Sequence, residues 1–120
     1  MGVAPFKAKR IKQQNKIISF MSNFMKNKLG RGPKNIKVKI LEDIIEVEFN
    51  GYLVDIEKSL LGNKEAEDIR FVNEIRERWF AKNISIIEGY ISEIMEKDVK
   101  FLFAYRNPVE DMAKLTLIIE

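Results

Sequence analysis

Residues 30–34 read Gly-Arg-Gly-Pro-Lys and combine backbone freedom with positive charge, the materials of a phosphate cradle. In such a cradle successive backbone N–H groups close on the anion, and here Arg31 and Lys34 would neutralise it. Lys26 and Lys28 lie just upstream, so Lys26, Lys28, Arg31 and Lys34 are the candidate partner- or anion-binding residues. The order of elements opposes the phosphate reading. Phosphate loops follow a strand and open a helix, aiming the helix's positive end at the anion. Here the glycines follow a helical run, whose negative end faces them. The spacing also departs from a Walker A motif and from a dinucleotide fingerprint. Gly30, Gly32 and Pro33 are therefore read first as a helix stop and a corner.

Little else in the chain is suited to catalysis. There is no histidine, hence no side chain poised by default to exchange protons near neutral pH and no imidazole metal ligand. There is no cysteine, hence no disulfide framework and no thiolate nucleophile. Hydrolytic Ser-His-Asp and Cys-His arrangements cannot be built from these residues. Carboxylates are plentiful, but Glu42-Asp43 reads as a turn, Glu65, Glu67 and Asp68 as a helix start, and Glu110-Asp111 as a loop. Lys58 and Tyr105 would be activated only by burial and are read as solvated or merely structural. The expectation is a protein that is not an enzyme, with no catalytic residue, metal, cofactor or small-molecule substrate.

The charge is unevenly spread. Of 21 Lys and Arg residues, eleven fall within residues 1–41, which contain no acid; the remainder carries 10 basic against 18 acidic residues. Such a split suits an anionic partner or docking on an acidic surface. A basic helix bearing Phe6, Ile17, Ile18, Phe20, Met21 and Phe24 could lie on an anionic membrane. The same lysines could neutralise nucleic-acid phosphates, as in a regulatory protein; Phe101 and Phe103 alternate near Lys100 and Arg106 as base-stacking aromatics would, but core packing explains them better. No run reaches the roughly 18 apolar residues of a membrane span. The opening "MGVAPFKAKR" lacks the apolar core and cleavage site of a secretory signal, and the lack of cysteine is compatible with a reducing cytoplasm.

Apolar residues recur at three- and four-residue steps from Lys9 to Leu29, with Ile11, Ile18, Met21, Met25 and Leu29 forming a stripe, while residues 1–10 are expected to fray. "NIKVKILEDIIEVEFN" predicts a β-hairpin turning at Glu42-Asp43. In that register Ile40 faces Ile45, Val38 faces Val47 and Ile36 faces Phe49, while Lys39 and Lys37 face Glu46 and Glu48. Glu-Asp suits a two-residue turn poorly, which points to a longer loop.

Asp55 is the expected N-cap of a short helix, broken at Gly62-Asn63. A second helix over residues 64–83 would bury Ile69, Val72, Ile75 and Trp79. Ser85 and Glu88 have capping-box spacing and predict the start of another, with Ile87, Ile91, Ile94 and Met95 inward. "VKFLFAYRN" and "MAKLTLIIE" close the chain as two strands. The predicted fold is a single α+β domain over residues 1–120. It has an antiparallel sheet of about four strands in two hairpins, helices on one face, and the order α-β-β-α-α-α-β-β. A parallel crossover between the second and third strands stays open.

The stretch "LGRGPKNIKVKILEDIIEVEF…LVDIEKSLL" resembles MpsC, a bacterial family named after a Na+-translocating, membrane-potential-generating system. The likeness runs from about Ile17 to Phe103, anchored on Gly30, Arg31, Gly32 and Pro33 and on Glu57 and Lys58. It implies a cytoplasmic accessory or scaffold protein, attached peripherally to membrane transport components, with no catalytic residue to carry over. Where relatives have an H-x-D-I-S stretch, this chain has "FAYRNPVEDM". Presentation of the basic segment to an acidic protein partner or an anionic membrane is the leading expectation. A homodimer is also expected, because so apolar a first helix would need more cover than one small sheet supplies.

Overall fold

The structure, a computed structural model, describes residues 5–120. Helix α1 spans Pro5–Leu29. Proline is tolerated in a first helical turn, where its missing N–H would have no intrahelical acceptor. Residues 5–10, expected to fray, are thus helical, and the same expectation for residues 1–4 falls outside the described residues. On α1 it is Gln13, Ile17, Met21 and Met25 that are buried; Ile11, placed on the stripe from sequence, is exposed.

Strands β1 (Asn35–Leu41) and β2 (Ile44–Asn50) form the hairpin in the predicted register, from Asn35 opposite Asn50 to Leu41 opposite Ile44. The connection is two residues long rather than longer. Glu42 takes the left-handed conformation (φ 56°) that the tight turn demands, so apolar and charged cross-strand pairing outweighs poor turn chemistry.

Helix α2 (Asp55–Leu60) is followed by α3 (Ala66–Met95), then by β3 (Val99–Asn107) and β4 (Met112–Ile119). The α+β class, the four antiparallel strands and the succession of hairpin, helices, hairpin are as predicted. The two helical segments expected after Gly62 run on as one 30-residue rod. No proline or glycine interrupts residues 80–88, and Asn83 bonds backward within the helix, its Nδ2 donating to the Trp79 carbonyl at 2.8 Å. Glu88 does not cap this helix; its Oε2 accepts the Phe101 N–H at 2.7 Å.

The strand order is β1-β2-β4-β3, so the last strand inserts beside the first hairpin and no parallel crossover forms. Alternate residues of β2 and β4 (Ile45, Val47, Phe49; Ala113, Leu115, Leu117, Ile119) are buried on one face, where α1 and α3 pack. Both edge strands meet helix side chains: Gln14 Oε1 accepts the Ile40 N–H (3.2 Å) and Ser92 Oγ the Val99 N–H (2.9 Å).

Candidate partner-docking surface

The basic corner is built by the end of α1. Lys26 and Lys28 occupy its last turn, where cations offset the dipole, and Gly30 (φ 79°) leaves the helix in a left-handed step that a Cβ would strain. The chain then folds back on α1: a Cβ at Gly32 would lie 3.3 Å from the Ser22 carbonyl oxygen. Arg31 is half-buried, and its Nη1 lies 3.7 Å from Oδ1 of the exposed Asp55. The Lys34 N–H donates to the Asn50 carbonyl at 2.9 Å, and its stem lies over Gly51, where a Cβ would sit 2.6 Å from Lys34 Cγ. Lys26, Lys28 and Lys34 are exposed, and none lies within ion-pair distance of a carboxylate among the described residues.

Glu57 and Lys58, adjacent in sequence, have opposite environments. Lys58 is exposed. Glu57 is buried, and both its oxygens accept from Arg76 of α3, while Oε1 also accepts the Val54 N–H at 2.9 Å. That bond caps α2 in place of Asp55, which lies inside the helix. Arg76 also donates to the Tyr52 carbonyl (3.0 Å) and stacks over the Tyr52 ring. From the turn between β3 and β4, Asp111 Oδ1 accepts the Tyr52 and Leu53 N–H groups at 2.8 and 2.9 Å. Sequence reasoning missed Arg76. Its signal was an arginine on the same helical face as Val72 and Phe80, at four-residue spacing within an otherwise apolar stripe.

An apolar groove lies beside this pair. Ile56 (72% exposed) and Leu60 of α2 form one wall, Phe71 (50% exposed) and Ile75 of α3 the other, with Trp79, Leu29 and Lys28 at its α1 end. Ile75, placed in the core from sequence, belongs to this wall. Across α1 a second groove runs between Phe20 and Phe24 on one side and Ile86 and Tyr90 on the other. Its aromatics interlock: Phe20 stacks on Tyr90 (4.7 Å between centroids) and Phe24 tilts against Trp79 (6.2 Å). Lys28 lines both grooves, its Nζ 5.9 Å from the Phe24 ring centre. Of the four predicted cations, only Lys28 lines the grooves; Lys26, Arg31 and Lys34 belong to the adjoining corner.

On the sheet's opposite face the predicted pairing of Lys37 and Lys39 with Glu48 and Glu46 holds in register. The ion pairs, however, come from Lys114 of β4, whose Nζ lies 3.3 Å from Glu46 and 3.7 Å from Glu48. The bond to Glu46 raises the Lys114 ammonium above its ordinary pKa. Among the described residues no three Asp or Glu side chains are grouped to hold a metal ion, and no helix is long and apolar enough to cross a membrane.

Residues 9–120 match the family described as "Na+-translocating membrane potential-generating system (MpsC)". No curated protein and no solved structure matches the chain. With almost its whole length matched, the chain belongs to the MpsC family.

Proposed function

We propose that this MpsC-family chain is a non-enzymatic accessory protein. It holds an acidic, amphipathic segment of a membrane-transport component in the groove between α2 and α3, steered there by the basic corner. The family's description supplies the context, a Na+-translocating membrane-potential system. The observation that carries the reading is Lys28, a cation without a carboxylate partner among the described residues, set at the mouth of two exposed apolar grooves. Helix-in-groove recognition needs apolar walls for anchor side chains and opposite charge at the rim for register. A concave groove favours a peptide helix over a flat bilayer, and over nucleic acid, which the apolar walls would not serve.

The test uses a fluorescent acidic amphipathic peptide, with apolar residues at i, i+3, i+4 and i+7, and follows its anisotropy. Saturable binding is expected. Charge reversal at Lys26, Lys28, Arg31 and Lys34, or Phe71→Asp with Ile75→Asp, should weaken it at least tenfold while far-ultraviolet dichroism stays unchanged. Peptide affinity untouched by both variants would eliminate the reading. Preferential binding to phosphatidylserine vesicles, or to an oligonucleotide with steep salt dependence, would replace it with the membrane or nucleic-acid reading. Light scattering separates a further occupant, a second copy of the chain; α1 itself needs no such cover, because Ile17, Met21 and Met25 are buried within one chain.

A further inference from the structure

Behind the groove a cavity of about 40 Å³ lies between α1, α3 and the sheet. Its polar lining is Tyr52, Arg76 and Arg106, and its apolar walls include Met21, Met25 and Trp79. Tyr52 is 4% exposed, yet its hydroxyl has no hydrogen-bond partner among the described residues. Leaving a buried hydroxyl without an acceptor is costly, so native interiors rarely do it. Arg106 stands over the Phe80 ring, 5.7 Å from its centre, and makes no ion pair among the described residues.

Of the nearby acids, Glu57 and Asp111 are already engaged, and Glu77, which shares an open surface hollow with Arg106, does not line the cavity. Both Glu57 oxygens accept from Arg76, and Asp111 accepts two backbone N–H groups. What the cavity offers is therefore hydrogen-bond donors in excess of acceptors: a phenol and a guanidinium. We propose that it is a binding site for a small monocarboxylate of formate size, held by the Tyr52 hydroxyl and the Arg106 guanidinium.

The donor chemistry fits, because a guanidinium fork matches the two oxygens of a carboxylate and a phenol O–H can add a charge-assisted bond. The volume fits as well. At roughly 10–15 Å³ per water-sized position the cavity takes about three heavy atoms, the number in formate. Burial also pushes the Tyr52 phenol up to about 12 and lowers Arg106 from its ordinary value. Tyr52 is thus held as a neutral donor, and Arg106, partly buried, has lost part of its hydration, a loss that the charge of Glu77 offsets only in part.

Trp79 is the sole tryptophan and lines the cavity, so its fluorescence reports occupancy. The experiment titrates the full chain with sodium formate against sodium chloride at constant ionic strength. A saturable change with formate and not chloride is expected, together with a rise in Tm. Tyr52→Phe and Arg106→Gln should each weaken binding by roughly 10-fold or more, the usual effect of losing a hydrogen bond to a charged group.

In formate-free buffer Tyr52→Phe should be at least as stable as the parent, since it deletes a hydroxyl without an acceptor. A linear or absent formate response, an equal response to chloride, or a formate-titration midpoint unchanged in Tyr52→Phe would overturn the proposal. Loss of stability in formate-free Tyr52→Phe would also overturn it, by showing that the hydroxyl is satisfied within the protein. Tyr52 does not line the groove, so peptide binding by Tyr52→Phe keeps this outcome separate from that of the docking reading.

Discussion

Arg76 and Glu57, 19 residues apart in the chain, form a buried, two-pronged ion pair that fastens α2 to α3, with Arg76 Nε 2.8 Å from Glu57 Oε2. Both groups have left water, so their attraction is largely offset by desolvation, and the severe case is the loss of one partner alone. Arg76→Met or Glu57→Leu should each cost roughly 3–5 kcal/mol in urea denaturation, and the double replacement should recover most of it. Additive losses in the double variant would mean that the two side chains do not act as a unit.

Two glycines should respond in opposite directions to the same change. Gly51 has φ 68° and the Lys34 stem lying on it, whereas Gly89 lies within α3 with no neighbour within 4 Å of an added Cβ. Gly51→Ala should destabilise by about 1 kcal/mol or more, from left-handed strain plus displacement of Lys34. Gly89→Ala should stabilise by about 0.5–1 kcal/mol. Paired thermal melts decide both.

Tyr52 adds to the loss of stability at alkaline pH. Its pKa, pushed up to about 12 chiefly by burial, lies above the ordinary value of 10 that it regains on unfolding. Between those values the unfolded chain releases a proton that the folded one keeps. The contribution is therefore complete below pH 10 and is lost as pH rises towards 12, by at most about 1.4 kcal/mol per pH unit. Denaturation at pH 9, 10 and 11 should show this decline, and Tyr52→Phe should abolish its share.

Ser85 and Glu88 distinguish a helix start from a helix interior. At an N-cap, Ser85→Ala would cost about 1 kcal/mol. Within a continuous α3 it should be neutral or slightly stabilising, because alanine is the better helix former. Glu88→Ala should destabilise by about 1–2 kcal/mol, since the Phe101 N–H loses its acceptor. Amide exchange at Phe101 should quicken in Glu88→Ala alone.

These residues mark where the sequence was legible. The first hairpin could be read to the residue because apolar and charged alternations agree on one register, and a one-residue slip would break both. The fused α3 could not, because Ser85 and Glu88 satisfy a local rule while the partner of Glu88 lies on β3, reached only by the completed fold. The insertion of β4 beside β2 is hidden for the same reason, and it made Lys114 the ion-pair partner that local pairing assigned to Lys37 and Lys39. Of the docking surface, Lys28 was visible from its place in the last turn of α1. The walls were not. Ile75 looks like a core residue in a periodic pattern, Ile56 and Phe71 carry no signal of their own, and only the packing of α2 against α3 leaves all three in solvent.

The side chains laid against the outer strands carry a consequence for life at high concentration. Gln14 takes a main-chain donor of β1, while Ser92 and Glu88 take two from β3, so a strand arriving from another molecule meets fewer open positions with which to extend the ladder. Stacking of copies into fibrils is hindered at both margins. Alanine at positions 14, 88 and 92 would reopen them and favour cross-β growth.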